Sequence, residues 1–75
     1  MIKIEVRLFA TFRENRERKY FFELPKETNI LDILNKLNID REDASLILLN
    51  GVDGDVDRKL KDGDVLSLFP PVGGG

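Results

Sequence analysis

Two residue types that carry much of protein chemistry are missing from this 75-residue sequence: it has no cysteine and no histidine. Their absence excludes disulfides, thiolate zinc sites, iron–sulfur ligation and imidazole metal ligands together. It also excludes Cys–His and Ser–His–Asp nucleophile systems and any histidine acid or base, so no catalytic residue and no metal ligand is expected. No apolar run approaches the ~20 residues that cross a bilayer. Met1 leads straight into strand-like sequence rather than a secretory leader, so the expectation is a soluble cytoplasmic chain with no membrane partner. Neither sign of charge dominates, since 12 Lys and Arg stand against 14 Asp and Glu for a net charge of −2. A dedicated nucleic-acid binder carries a basic excess gathered on one face, so nucleic acid is not an expected partner either. At this length the chain is one domain that hides only roughly 60% of its unfolded surface.

What is present reads as strands around one helix. Ile2, Ile4, Val6 and Leu8 alternate with Lys3, Glu5 and Arg7, the period of a half-buried strand. Arg13 to Lys19 is polar enough for a turn, and Tyr20, Phe22 and Leu24 share one face of a second strand, making a hairpin that Pro25 closes. The spacing then changes: Ile30, Ile33, Leu34 and Leu37 fall at i, i+3, i+4 and i+7, one face of a helix. Thr28 or Asn29 can cap its start, Asp32 suits its first turn, and Lys36 and Asn38 suit its end. Asp40 to Asp43 is too polar and short to extend it. Leu46 to Leu49, bounded by Asn50-Gly51, reads as a buried central strand. Val52 to Lys61 is irregular, with a short strand expected near Val56, and Val65 to Phe69 is the last strand, ended by Pro70-Pro71. The order predicts an α+β fold of the β-grasp type over residues 1–71, a mixed sheet of four to five strands with one main helix across it. The first and last strands lie side by side, and residues 72–75 form a flexible glycine-rich tail.

Several local patterns invite sharper readings. Asp53-Gly54-Asp55-Val56-Asp57 has acids at the first, third and fifth places of a calcium loop, but Arg58 stands where that loop needs Gly and Asp64 where it needs Glu, so an acidic surface loop is expected. Asp43-Ala44-Ser45 is not the Asp-Ser of a phosphopantetheine carrier, because Ala44 intervenes and a strand follows. Arg13, Arg16, Arg18 and Lys19 form the one basic cluster, interrupted by Glu14 and Glu17; it reads as a solvated loop or as a docking site for an acidic partner.

The chain end, Pro70-Pro71-Val72-Gly73-Gly74-Gly75, carries the functional signal. The prolines favour an extended exit from the last strand, and residues 72–75 can reach about 13 Å at roughly 3.3 Å per residue. Such a thin probe suits chemistry on the Gly75 α-carboxylate. A carboxylate is a poor electrophile and must be activated, most simply as an acyl-adenylate made from ATP by an enzyme that engulfs the tail. Residues without Cβ pass a narrow channel and leave the carbonyl open to attack. With no cysteine in the chain, any sulfur it carries sits on that carbonyl as a thiocarboxylate.

These residues resemble the MoaD/ThiS group of ubiquitin-like sulfur carriers, most closely its molybdopterin synthase small-subunit branch. The resemblance rests on Leu8-Phe9-Ala10 with Arg13-Glu14, on Asn50, on Leu60-Lys61-Asp62-Gly63-Asp64, and most of all on Phe69-Pro70-Pro71-Val72 before the terminal glycines. It implies that Gly75 is adenylated by a partner of the ubiquitin-activating type and becomes a thiocarboxylate, with Gly73, Gly74 and Gly75 as the tail. The resemblance further implies a non-catalytic small subunit that joins the synthase large subunit in a heterotetramer and donates sulfur to cyclic pyranopterin monophosphate. No cofactor is expected to stay bound, the ATP being consumed by the activating partner. Phe69, Pro70, Pro71 and Val72 carry over as tail base and partner contacts; Arg13 and Lys61 match positions assigned to partner binding, though both also suit loops that need only be soluble. One apolar patch around Phe69 would serve successive partners, which would then exclude each other. Two other readings stay open: a protein modifier joined to lysine amines through Gly75 (or a carrier for thiazole or tRNA thiolation), and a plain interaction domain with a frayed end.

Overall fold

Ile2, Ile4, Val6 and Leu8 are buried while Lys3 and Arg7 are exposed, so the strand Ile2–Leu8 (β1) turns one face to a core, as its period of two requires. In the computed structural model, which describes residues 1–71, the chain continues through a 3-10 turn at Ala10–Arg13 to the strand Lys19–Leu24 (β2). The helix Ile30–Lys36 (α1) follows, then a 3-10 turn at Arg41–Asp43 and the strands Leu46–Leu49 (β3), Val52–Asp53 (β4) and Val65–Phe69 (β5). The five strands form one mixed sheet in the order β2-β1-β5-β3-β4. β1 and β5 are the parallel central pair, as expected, and every other pairing is antiparallel. This is the β-grasp arrangement. Residues 72–75, the expected tail, lie outside the described residues.

Val6, Leu8, Leu66 and Leu68 meet Ile30, Ile33 and Leu34 of α1 in a fully buried layer. Burying such a side chain is worth roughly 1.5–3 kcal/mol. Leu37, Ile39, Ala44, Ile47 and Leu60 close its margins. Every first-turn donor of α1 is satisfied: Asp32 by the Asn29 side chain in a reciprocal capping box, Ile30 by the Arg58 carbonyl, and Leu31 by the Val56 carbonyl. Asn38 takes the left-handed conformation, φ 57°, that lets the chain turn back after the helix.

Two expectations need correction. Val56 is not in a strand. The short strand is Val52–Asp53, and Val56 instead turns its carbonyl to the helix start, a role its β-branched side chain does not signal. β3 lies between two strands but is buried on one face only: Ile47 is core while Leu46 is exposed, so its unbroken apolar run has a second cause. The Asp40–Asp43 stretch does not extend α1, as expected, and Arg41–Asp43 forms a separate 3-10 turn.

Candidate functional site

The site is built where β1 and β5 end together. β5 runs parallel to β1 with Leu68 beside Leu8, so the residues that follow them, Phe69 and Phe9, emerge side by side. The Phe9 N–H donates to the Leu68 carbonyl at 3.2 Å, and the Phe69 carbonyl accepts from the Ser45 N–H at 2.9 Å. The backbone is thereby fixed on both flanks, and the two rings stack 4.3 Å apart, within 9° of parallel. Arg13 completes the stack. Its Nε donates to the Leu8 carbonyl at 2.8 Å, which holds the guanidinium 5.1 Å from the centre of the Phe9 ring. Both rings are half-buried, Pro70 also, and Pro71 is exposed.

Register shows which face this is. Inward residues of β1 pair with inward residues of β5 and β3, so Phe69 and its cross-strand neighbour Leu46 point away from the helix. Leu48 and Val65 share that helix-free face. The result is an apolar patch of Phe9, Phe69, Leu46 and Leu48 on an open sheet face where the chain leaves β5, with Ser67 separating it from Val65 and Arg7 and Glu5 beside it.

Of the residues singled out from sequence, the structure brings together Phe69, Pro70, Pro71 and Arg13. Val72, Gly73, Gly74 and Gly75 lie outside the described residues. Lys61 is placed elsewhere, in the turn before β5. Lys61 thus lies before the start of β5 at Val65, whereas the stack lies at its far end, four residues on at Phe69. Its N–H donates to Asp64 Oδ2 at 2.7 Å, and its side chain is exposed. Asn50 belongs to the same construction: its Nδ2 donates to Asp64 Oδ1 at 2.9 Å and its Oδ1 accepts from the Val65 N–H at 2.8 Å. The basic cluster divides. Arg13 and Arg16 are tied to carbonyls, Arg16 to those of Leu37 and Asn38 at the helix end, whereas Lys19 stands 3.8 Å from the Glu5 carboxylate and Arg18 is exposed. Asp53 is engaged with the Gly54 N–H, and among the described residues no three acids gather in a way that could hold a cation.

Sequence reasoning did not put Phe9 or Leu46 in the site. A signal existed for Phe9: it follows Lys3, Glu5 and Arg7 on the outward parity, where an apolar ring has no core to enter. No helix among the described residues is long and apolar enough to cross a membrane.

Residues 6–75 match the ThiS family. Small archaeal modifier protein 3 of Haloferax volcanii is 31% identical over 93 aligned positions, covering 99% of this chain and all of that relative. A Pyrococcus furiosus structure described as molybdopterin converting factor subunit 1 superposes with a TM-score of 0.77 at 31% identity, covering 96% of this chain and 100% of the other. A chain from the complex of subunits 1 and 2 of the Helicobacter pylori molybdopterin-converting factor superposes with a TM-score of 0.67 at 32% identity, covering 99% and 100%.

Proposed function

The chain belongs to the ThiS family, and we propose that within it the protein is the sulfur-carrying small subunit of a molybdopterin synthase. The observation that supports this most is the exit from β5: a Phe69 ring stacked on Phe9, which Arg13 backs in turn, followed by Pro70-Pro71 and the glycine-rich end. The stack fixes where the tail starts and the prolines restrict its first steps. An enzyme that captures Gly75 therefore orders fewer bonds on binding.

In this reading the Gly75 carboxylate oxygen attacks the α-phosphorus of ATP on an activating partner, and pyrophosphate leaves. Hydrosulfide then attacks the acyl carbon, AMP leaves, and the thiocarboxylate remains with loss of the sulfur's proton. The chain's own residues supply docking, not catalysis. The patch of Phe9, Phe69, Leu46 and Leu48 seats first the activating enzyme and then the synthase large subunit, which feeds the tail to the pterin substrate. The Helicobacter pylori complex of two subunits supports a large-subunit partner. The 31% identity to a small archaeal modifier protein favours a second reading, conjugation of Gly75 to lysine amines.

Reconstitution separates the two. Thiocarboxylated chain, synthase large subunit and cyclic pyranopterin monophosphate together yield molybdopterin under the first reading, and a chain lacking Gly74 and Gly75 yields none. No molybdopterin from the complete mixture, with lysine-linked conjugates in cell extract, would favour the modifier.

A further inference from the structure

Among the described residues β2 is an edge strand, paired only with β1. The direction of its free backbone groups follows from its neighbour. Leu8 donates its N–H to the Arg18 carbonyl, whereas the Glu5 N–H and the Lys3 carbonyl bond on the opposite side, toward Asp64 and Gly63. Even-numbered residues of β1 thus face β2 and odd-numbered ones face β5. By the alternation of an antiparallel pair, Tyr20, Phe22 and Leu24 spend their backbone groups on β1, while Lys19, Phe21 and Glu23 present theirs at the open edge. At the centre of this edge stands Phe21, 72% exposed, with the Lys19 ammonium 5.9 Å from its ring centre.

We propose that this edge pairs with the same edge of a second copy, β2 running antiparallel to β2 about a two-fold axis at Phe21. In that register Lys19 of each copy stands opposite Glu23 of the other, and Phe21 stands opposite Phe21. All three are residues whose N–H and carbonyl groups are free to exchange, so the two sheets become one of ten strands. On the helix side Tyr20 meets Phe22 of the second copy in the closely spaced positions. Those rings are already ordered, stacked 5.5 Å apart within each copy, with the Tyr20 hydroxyl accepting from the Glu17 N–H. The cations nearest this side are folded back on their own copy: Arg16 onto the helix-end carbonyls and Lys36 over the Phe22 ring at 5.3 Å. Sliding the register by two residues sets Phe21 opposite Lys19 in one direction or opposite Glu23 in the other, and breaks both ion pairs. The sequence Lys19-Tyr20-Phe21-Phe22-Glu23 is therefore self-complementary in charge and ring size in one register only. Edge strands are commonly blunted by like charges that repel a second edge, and this one carries opposite charges placed to attract.

The test is sedimentation equilibrium of the full chain from about 10 μM to about 1 mM, where weak small interfaces register. It is combined with amide exchange by NMR at the two ends of that range. A reversible dimer is expected, with the Lys19, Phe21 and Glu23 amides protected only when concentrated. Phe21→Thr keeps strand propensity and folding and should weaken association at least tenfold. Lys19→Glu should do the same, and adding Glu23→Lys to it should restore most of the loss. A chain monomeric throughout overturns the proposal, including the case in which a short peptide alternating valine and glutamate protects the same amides. So does a dimer indifferent to Phe21→Thr and to the charge swap.

Discussion

Asn50 carries three jobs, and replacing it separates them. The residue ends β3 with φ 52°, a left-handed conformation that costs a β-carbon-bearing residue other than Asn or Asp about 1 kcal/mol. Its side chain also makes two hydrogen bonds that pin the start of β5, to Asp64 Oδ1 and from the Val65 N–H. The site is open to water, so the freed groups rehydrate and each lost bond costs near 1 kcal/mol. Asn50→Ala is therefore expected to lose about 3 kcal/mol, a large share of the 5–15 kcal/mol that holds a small domain together. At 4–8 °C per kcal/mol for this size, Tm falls by roughly 12–24 °C in a circular-dichroism melt. Asn50→Gly tolerates the dihedral and should recover about 0.5–1 kcal/mol of that loss. In urea both should lower the midpoint with the slope unchanged. If Ala and Gly melt together, the left-handed conformation contributes nothing. If Asn50→Ala costs under about 1 kcal/mol, the two bonds do not hold β5 in place.

The turn after β4 gives a further pair of tests. The Arg58 guanidinium and its Nε donate to the carbonyls of Asp55, Val52 and Ile47 at 2.8, 2.7 and 3.1 Å, so Arg58→Ala should cost about 2–3 kcal/mol and speed amide exchange in β4. A β-carbon at Gly54 would stand 3.0 Å from that guanidinium. Gly54→Ala should therefore destabilise the native chain but cost little in an Arg58→Ala background, a coupling that a double-mutant cycle measures by urea unfolding.

Much of the fold is legible because the sheet and helix keep clean periods. Ile2 to Leu8 alternates without fault, and Ile30, Ile33, Leu34 and Leu37 mark a single helical face, so both elements and their inward residues can be read directly. What periodicity cannot show is which carbonyl meets which donor. Val56 looks like a strand residue and serves the helix start through its backbone. Arg16 looks like loop charge and serves the helix end. The site was half legible for a similar reason. Phe69 and the prolines stand out in the chain, but their surroundings depend on Phe9, sixty residues earlier and brought there by the parallel pairing of β1 with β5, and on Leu46, twenty-three residues earlier and brought there by the antiparallel pairing of β3 with β5. Leu46 was masked because an unbroken Leu-Ile-Leu-Leu run does not say which side faces water. Lys61 and Asn50 both carry the family resemblance, and the structure uses Asn50 and the Lys61 backbone to anchor β5 some distance from the exit.

Whether Gly75 carries sulfur, as proposed, is read from the intact mass of the chain. The chain is incubated with ATP, the activating enzyme of its own organism and a sulfur source, beside a chain lacking Gly75. The full chain should gain the mass of one oxygen exchanged for one sulfur, and the truncated one should not. An unchanged mass, with the enzyme and sulfur source shown to charge another carrier, would contradict the proposal.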